Sequence, residues 1–212
     1  RPVRRRPRPG TRSALTRVHV TRDRQGGGQR RAWLQVHGHP LPPEHVSQVD
    51  GIPTTSLPRT VVDLACCLPL PDAVAVGDGA LRLGATPQDL ERVLATFGAR
   101  RGVGTARRTL QLLEARSESY GESVSRVVML QAGLPAPEPQ LLVRDERGVV
   151  VARVDFAWPE LGVIGEFDGR VKYGRSLAPD EDPTKAVWRE KVREDLIRDL
   201  GWQVVRWIWA DL

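Results

Sequence analysis

The stretch from Val154 to Lys172, Val-Asp-Phe-Ala-Trp-Pro-Glu-Leu-Gly-Val-Ile-Gly-Glu-Phe-Asp-Gly-Arg-Val-Lys, sets carboxylates and a lysine among residues that otherwise read as two buried strands. An acidic side chain beside apolar neighbours is unfavourable unless it is paired, hydrogen-bonded or holding a cation. Asp155, Glu166 and Asp168 have little fixed positive charge beside them in sequence, so a divalent metal is the simplest way to neutralise them. This stretch is therefore expected to be the active centre.

The flanking segments say what holds it. Ser119-Tyr-Gly-Glu122 is a capping-box sequence opening a helix with Val124, Val127, Val128 and Leu130 on one face, closed by Gly133 and Pro135. Strand-like runs follow at Gln140 to Arg144 and Val149 to Ala157 around the turn Asp145-Glu-Arg-Gly148, and a third, Leu161 to Phe167, returns after Trp158-Pro-Glu160. Asp180 to Pro183 starts a helix on which Trp188, Val192, Leu196 and Leu200 recur every four residues as an expected buried stripe, with Gly201 just past its end. Trp202 to Trp209 is then a fourth strand, entered through a crossover helix and free to lie parallel to a neighbour. The predicted order is helix, three antiparallel strands, helix, strand. The tryptophans at 158, 188, 202, 207 and 209 are expected as core and rim packing rather than base-stacking platforms.

The first half has a different character. Residues 1–13 are Arg, Pro and Gly with almost nothing apolar, a flexible arm that serves either as a phosphate-contacting basic tail or as a solvated linker remnant. Leu15 to Val20 and Trp33 to His37 alternate apolar and polar residues around a turn-rich segment, as a hairpin would, and a short run from His45 to Thr54 follows. Helices are predicted from Ser56 as N-cap to Leu68, from Pro71 to Leu83, from Pro87 to Phe97 with Thr86 as cap, and from Val103 to Ala115. Arg59 and Asp63 stand four apart and pair on the face of the first. The expected division is a basic arm at 1–13, a small sheet plus helical region at 14–116, and an α/β unit at 117–212.

With a net charge of +6 the chain suits an anionic partner, without by itself separating nucleic acid from an anionic membrane surface. No run of about 18 apolar residues exists to span a bilayer, and no signal-like segment opens the chain, so a cytoplasmic protein is expected. The adjacent Cys66 and Cys67 read as small buried hydrophobes, and no Cys/His cluster has zinc-ligand spacing. For His37 and His39 a metal-binding role stands against that of ordinary strand or turn residues, and the latter is expected. The chain opens on Arg1 rather than Met and reads as a fragment of something longer.

A metal-dependent phosphodiesterase needs hard oxygen ligands on rigid backbone, an open position for water, and a cation to steady the charged transition state. Glu166 and Asp168, two apart, share one strand face, Asp155 sits on the neighbouring strand, and Glu122 completes the site from the first turn of the preceding helix. Here the chain resembles the PD-(D/E)XK nuclease superfamily, and within it the branch similar to very-short-patch-repair endonucleases. The matching residues are Glu122 in Ser-Glu-Ser-Tyr-Gly-Glu-Ser, Asp155 in Val-Asp-Phe, Glu166-Phe-Asp-Gly, and the closing Gly201-Trp-Gln-Val-Val-Arg-Trp. The resemblance covers about residues 117–212 and implies an α/β restriction-endonuclease-like core cutting DNA with Mg²⁺ or Mn²⁺ held by Asp155, Glu166, Asp168 and Glu122. The superfamily's lysine two residues after the acid is replaced by Asp168. Lys172 occupies a position where this branch commonly carries His or Lys, and Lys191 on the next helix is a second candidate.

Gly51-Ile-Pro-Thr-Thr-Ser-Leu-Pro-Arg-Thr-Val-Val-Asp-Leu-Ala resembles the segment after the winged helix in AbiEi-type antitoxins of type IV toxin–antitoxin systems. That winged helix would precede Arg1. The resemblance implies a second reading, a non-catalytic DNA-binding regulator with a toxin or other protein as partner.

Overall fold

The computed structural model describes residues 17–24, 26, 28–169 and 183–212, with side chains of the last segment from Trp188 onward. It is a mixed α/β chain that divides into two compact units after Leu113. No described helix is long and apolar enough to cross a membrane.

In the first unit, β1 (Val18–Asp23), β2 (Gln29–Arg30) and β3 (Leu34–His39) form a sheet in the order β1-β3-β2. The predicted hairpin is not what forms. β1 and β3 run parallel, Val20 opposite Val36, and the short β2 returns antiparallel on the other side of β3. Period-two alternation marks a strand and its faces but carries no direction, which the connection sets. The hairpin lies further on, where β4 (Val46–Val49) and β5 (Ile52–Thr55) pair across Asp50 and Gly51. Both turn residues have positive φ, 51° and 78°, the twist that two-residue hairpin loops require.

Four helices follow: α1 (Leu57–Ala65), α2 (Leu70–Arg82), α3 (Pro87–Ala95) and α4 (Val103–Gln111). Their facing apolar residues, Val61, Val62, Ala80, Leu90, Val93 and Val103 among them, make one core. Thr86 caps α3 in a full capping box, its hydroxyl accepting from Asp89 N and Asp89 Oδ2 accepting from Thr86 N. α1 ends at Ala65, before the two cysteines, so Cys66 is half-buried and Cys67 is exposed, contrary to the expected burial of both.

The Arg59–Asp63 pair forms, but inside. Arg59 is 1% exposed and donates to Asp63 Oδ2 at 2.8 Å and to Pro40 O at 2.9 Å, with His45 Nδ1 at 3.0 Å. Arg100 takes the other Asp63 oxygen at 2.7 Å and lies 3.6 Å over the Phe97 ring. This network ties the segment before β4 to α1 and to the α3–α4 connection.

The second unit runs α5 (Tyr120–Gln131), β6 (Glu138–Arg144), β7 (Val150–Trp158), β8 (Val163–Phe167), α6 (Pro183–Asp199) and β9 (Gln203–Trp207). The sheet order is β6-β7-β8-β9, antiparallel through β8, with β9 parallel to β8 and Ile164 opposite Val204. Asp145 Oδ1 closes the β6–β7 turn by accepting from Arg147 N and Val149 N, and Gly148 supplies the positive φ of 80°. Val143, Ala152, Val154, Ile164 and Ile197 form the core. Trp158 and Trp207 pack as expected, their indole N–H groups donating to Pro135 O and Ser125 Oγ.

The expected stripe on α6 is not the buried one. Trp188, Val192 and Leu196 are exposed, Ile197 is fully buried, and Leu200 packs at the core's edge. A step of four residues advances about 40° beyond one helical turn, so the stripe wraps around the helix and only its last member reaches the sheet. The inward line is instead Arg193, Glu194 and Ile197. Urea unfolding tests this: Ile197→Ala costs about 2–5 kcal/mol as a buried truncation, whereas Leu196→Ala changes stability by about 0.5 kcal/mol or less.

Candidate functional site

Asp155 sits in β7 between the buried Val154 and Phe156. Its Oδ2 accepts from Phe167 N, the last residue of β8, at 2.9 Å, so the carboxylate is fastened to the neighbouring strand. Burial pushes its pKa from 3.8 up to about 6, with the negative charges of Glu122 and Glu166 adding to the rise. The Phe167 N–H and the Arg193 guanidinium oppose it. Carboxylates from α5, β7 and β8 thus lie close enough to act on one another's charge.

Glu122 enters from the first turn of α5, 7% exposed. Ser119 Oγ accepts from Glu122 N at 3.1 Å, the first half of a capping box. The Glu122 carboxylate does not return to the N-cap N–H; it accepts from Glu118 N and from Gln140 Nε2, both at 2.9 Å. Gly121 brings the helix in, since a Cβ there would overlap the Phe167 ring.

Gln140 is a residue the sequence did not single out. It has φ of 57°, unusual for a side chain of its size, and the β6–β7 ladder passes it by: Pro139 faces Phe156 and Leu141 faces Val154. The irregularity lies across from Asp155 and directs the Gln140 amide to Glu122. Strained backbone of this kind persists where its surroundings hold it, and it collects at functional sites.

Glu166 on β8 has both oxygens taken by arginines: Oε1 by Arg193 Nη2 at 2.7 Å and Oε2 by Arg206 Nε at 2.8 Å. Arg206 stands directly opposite Glu166 in the β8–β9 register and also reaches Glu190 and Glu194 on α6. Among the described residues, Arg193 and Arg206 are the cations paired with this cluster, and no spacing rule in the sequence announces them. Both are held more firmly protonated than usual, Arg193 chiefly by the hydrogen bonds it donates to Glu190 and Arg206 by Glu166 in spite of burial.

Asp168 lies just past β8, its N–H donating to Trp207 O at 2.9 Å. Lys172 lies outside the described residues, and Lys191 points to solvent. Among the described residues no group of three or more His, Cys, Asp or Glu is disposed to hold a metal ion. The carboxylates of Glu122 and Asp155 are nonetheless donors that suit a hard divalent cation, and such a cation would relieve the charge that burial, and then the neighbouring Glu122 and Glu166, make costly on Asp155. An apolar groove of about 400 Å³ in the same unit, lined by residues including Val128, Leu134, Trp158 and Trp207, contains none of the three carboxylates.

Two relatives stand out by sequence. The chain is similar to the uncharacterized protein MT2308 of Mycobacterium tuberculosis (strain CDC 1551 / Oshkosh) and to the uncharacterized protein Rv2248 of Mycobacterium tuberculosis (strain ATCC 25618 / H37Rv). Each is 34% identical over 161 residues, 76% of this chain, and the chain matches 56% of each relative's length. No family model matches the chain, and no solved structure matches it.

The raised Asp155 value has a sign that can be measured. The folded state holds this proton more tightly than the unfolded chain, so Asp155 contributes stability that is present below about pH 4 and is lost as pH rises through about 6. Asp155→Asn, which keeps an acceptor for Phe167 N–H, is expected to raise Tm by a few degrees at pH 8 and to leave it near wild type at pH 4. A Tm difference independent of pH would show that Asp155 is not the titrating group.

Proposed function

We propose that residues 117–212 form a restriction-endonuclease-like domain that hydrolyses phosphodiesters in DNA with Mg²⁺ or Mn²⁺, in the manner of very-short-patch-repair-like nucleases, within the cytoplasm. The observation that carries this reading is the gathering of Glu122, Asp155 and Glu166 from a helix and two neighbouring strands, in a unit ordered helix, three antiparallel strands, helix, strand. The net charge of +6 suits a polyanionic substrate.

Asp155, Glu166, Glu122 and Asp168 would hold the ion, which when bound supplies an activated water and charge stabilisation at the phosphate. The chain's own groups do the rest. The Asp155 carboxylate carries a proton below about pH 6, which it would have to release before it could hold an ion. Gln140 and the Glu118 N–H fix the orientation of Glu122. Arg193 presents a permanent positive charge beside the cluster, the part that the resemblance gives to Lys172.

Purified protein is expected to nick or linearise supercoiled plasmid with Mg²⁺ or Mn²⁺, and Asp155→Ala to lower the rate by about a hundredfold or more. Wild-type protein no more active than the variant would overturn the nuclease reading.

One observation favours the second reading, a DNA-binding regulator of the antitoxin type in which the fold serves as a binding module and a toxin or other protein is the partner. Glu166 is fully paired with Arg193 and Arg206, an arrangement stable without any ion. On that reading the plasmid assay is silent while DNA binding by wild type and Asp155→Ala is equal.

A further inference from the structure

His19 and His37 sit on adjacent parallel strands of the first unit. His19 pairs with Gln35 and His37 with Thr21, so the two histidines are diagonal neighbours on one sheet face. His19 Nδ1 and His37 Nε2 are 3.1 Å apart, and the ring centroids are 5.2 Å apart with 29° between the planes. Two nitrogens that share one cation at about 2.0–2.1 Å in a tetrahedral arrangement stand about 3.3 Å apart. The pair is thus already near the separation that chelation needs. His37 is held towards its neutral, metal-binding form by burial and by the neighbouring His19.

We propose that His19 and His37 form a binding site for a divalent first-row transition ion of the zinc and copper class. Imidazole nitrogen suits these ions, and the hard Mg²⁺ and Ca²⁺ prefer oxygen. In the ion's absence the two rings share a hydrogen bond. On binding, the proton in that bond moves to the far nitrogen of its own ring, and both rings turn so that the two freed lone pairs meet at an ion beside the N···N line, without net proton release. The protein supplies two ligands, and solvent fills the remaining positions, which leaves the ion exchangeable. Because the ligands are 18 residues apart in sequence and on different strands, the ion clips β1 to β3 and stabilises the sheet.

The test uses the full chain purified without a histidine tag. Zn²⁺ is titrated calorimetrically, Cu²⁺ is followed by electron paramagnetic resonance, and Tm is recorded with and without Zn²⁺. One ion per chain, a Cu²⁺ spectrum split by two nitrogens and a Zn²⁺-dependent rise in Tm are expected. His19→Gln and His37→Gln should each weaken binding by more than the roughly tenfold that losing even an outer-sphere partner costs, and abolish the Tm rise. Circular dichroism confirms that the variants fold. Binding unchanged in either variant, or no one-to-one binding by wild type, overturns the proposal.

Discussion

The double pairing of Glu166 with Arg193 and Arg206 decides how the second unit is assembled. A carboxylate with its side chain 14% exposed is held where it is by two guanidiniums, one from α6 and one from β9. Satisfying both oxygens turns the Arg193–Glu194–Ile197 line of α6 towards the sheet, and Glu194 meets Arg206 in turn. The apolar stripe at Trp188, Val192 and Leu196 is left to solvent as a consequence. The arginine side chains are 27% and 38% exposed, so each pair is worth less than a fully buried one, but turning the apolar stripe inward would leave the mostly buried Glu166 carboxylate without its partner from α6. Charge pairing therefore wins over apolar periodicity in setting the rotation of this helix.

The same pairing shapes the chemistry beside it. Arg193 acts on Asp155 as well as on Glu166, yet burial, with the two neighbouring carboxylates adding to it, outweighs it, and Asp155 ends near 6 rather than near 4. Glu122 is positioned by two donors, and one of them, Gln140, sits on backbone that a side chain of its kind adopts only at a cost. Gly121 permits the close approach of α5 to Phe167, whose N–H in turn holds Asp155. One glycine, one strained glutamine and one backbone N–H therefore place Glu122 and Asp155.

Much of this architecture was legible in the residues. Capping residues Thr86 and Ser119, the Asp145–Gly148 turn, Gly201 and the apolar runs mark helices and strands close to where they form, because their signals are local and chemical. What failed was non-local. The parallel pairing of β1 with β3 depends on how the chain returns, and alternation says nothing of that. The α6 stripe misled because every-four spacing drifts around a helix and because its competitors for the inner face were charged. Of the candidate site, Asp155 and Glu166 were legible as acids out of place among apolar residues, and Glu122 as the acid in the first turn of the helix before them. Gln140, Arg193 and Arg206 were not, since nothing local separates them from other polar residues on a strand or a helix.

The two units bury charge in opposite ways. In the first, Asp63 is matched by both Arg59 and Arg100, so the carboxylate is more than neutralised; Arg59 Nη1 meets Pro40 O and His45, while Arg59 Nη2 is buried without a hydrogen-bond partner among the described residues. Such an arrangement holds elements together and gains little from a bound cation. In the second, Asp155 has two like charges and one opposite one acting on it. A buried group left with an excess of its own sign gains stability from any positive ligand, whether a proton near pH 6 or a divalent ion, and the Asp63 network has no such demand.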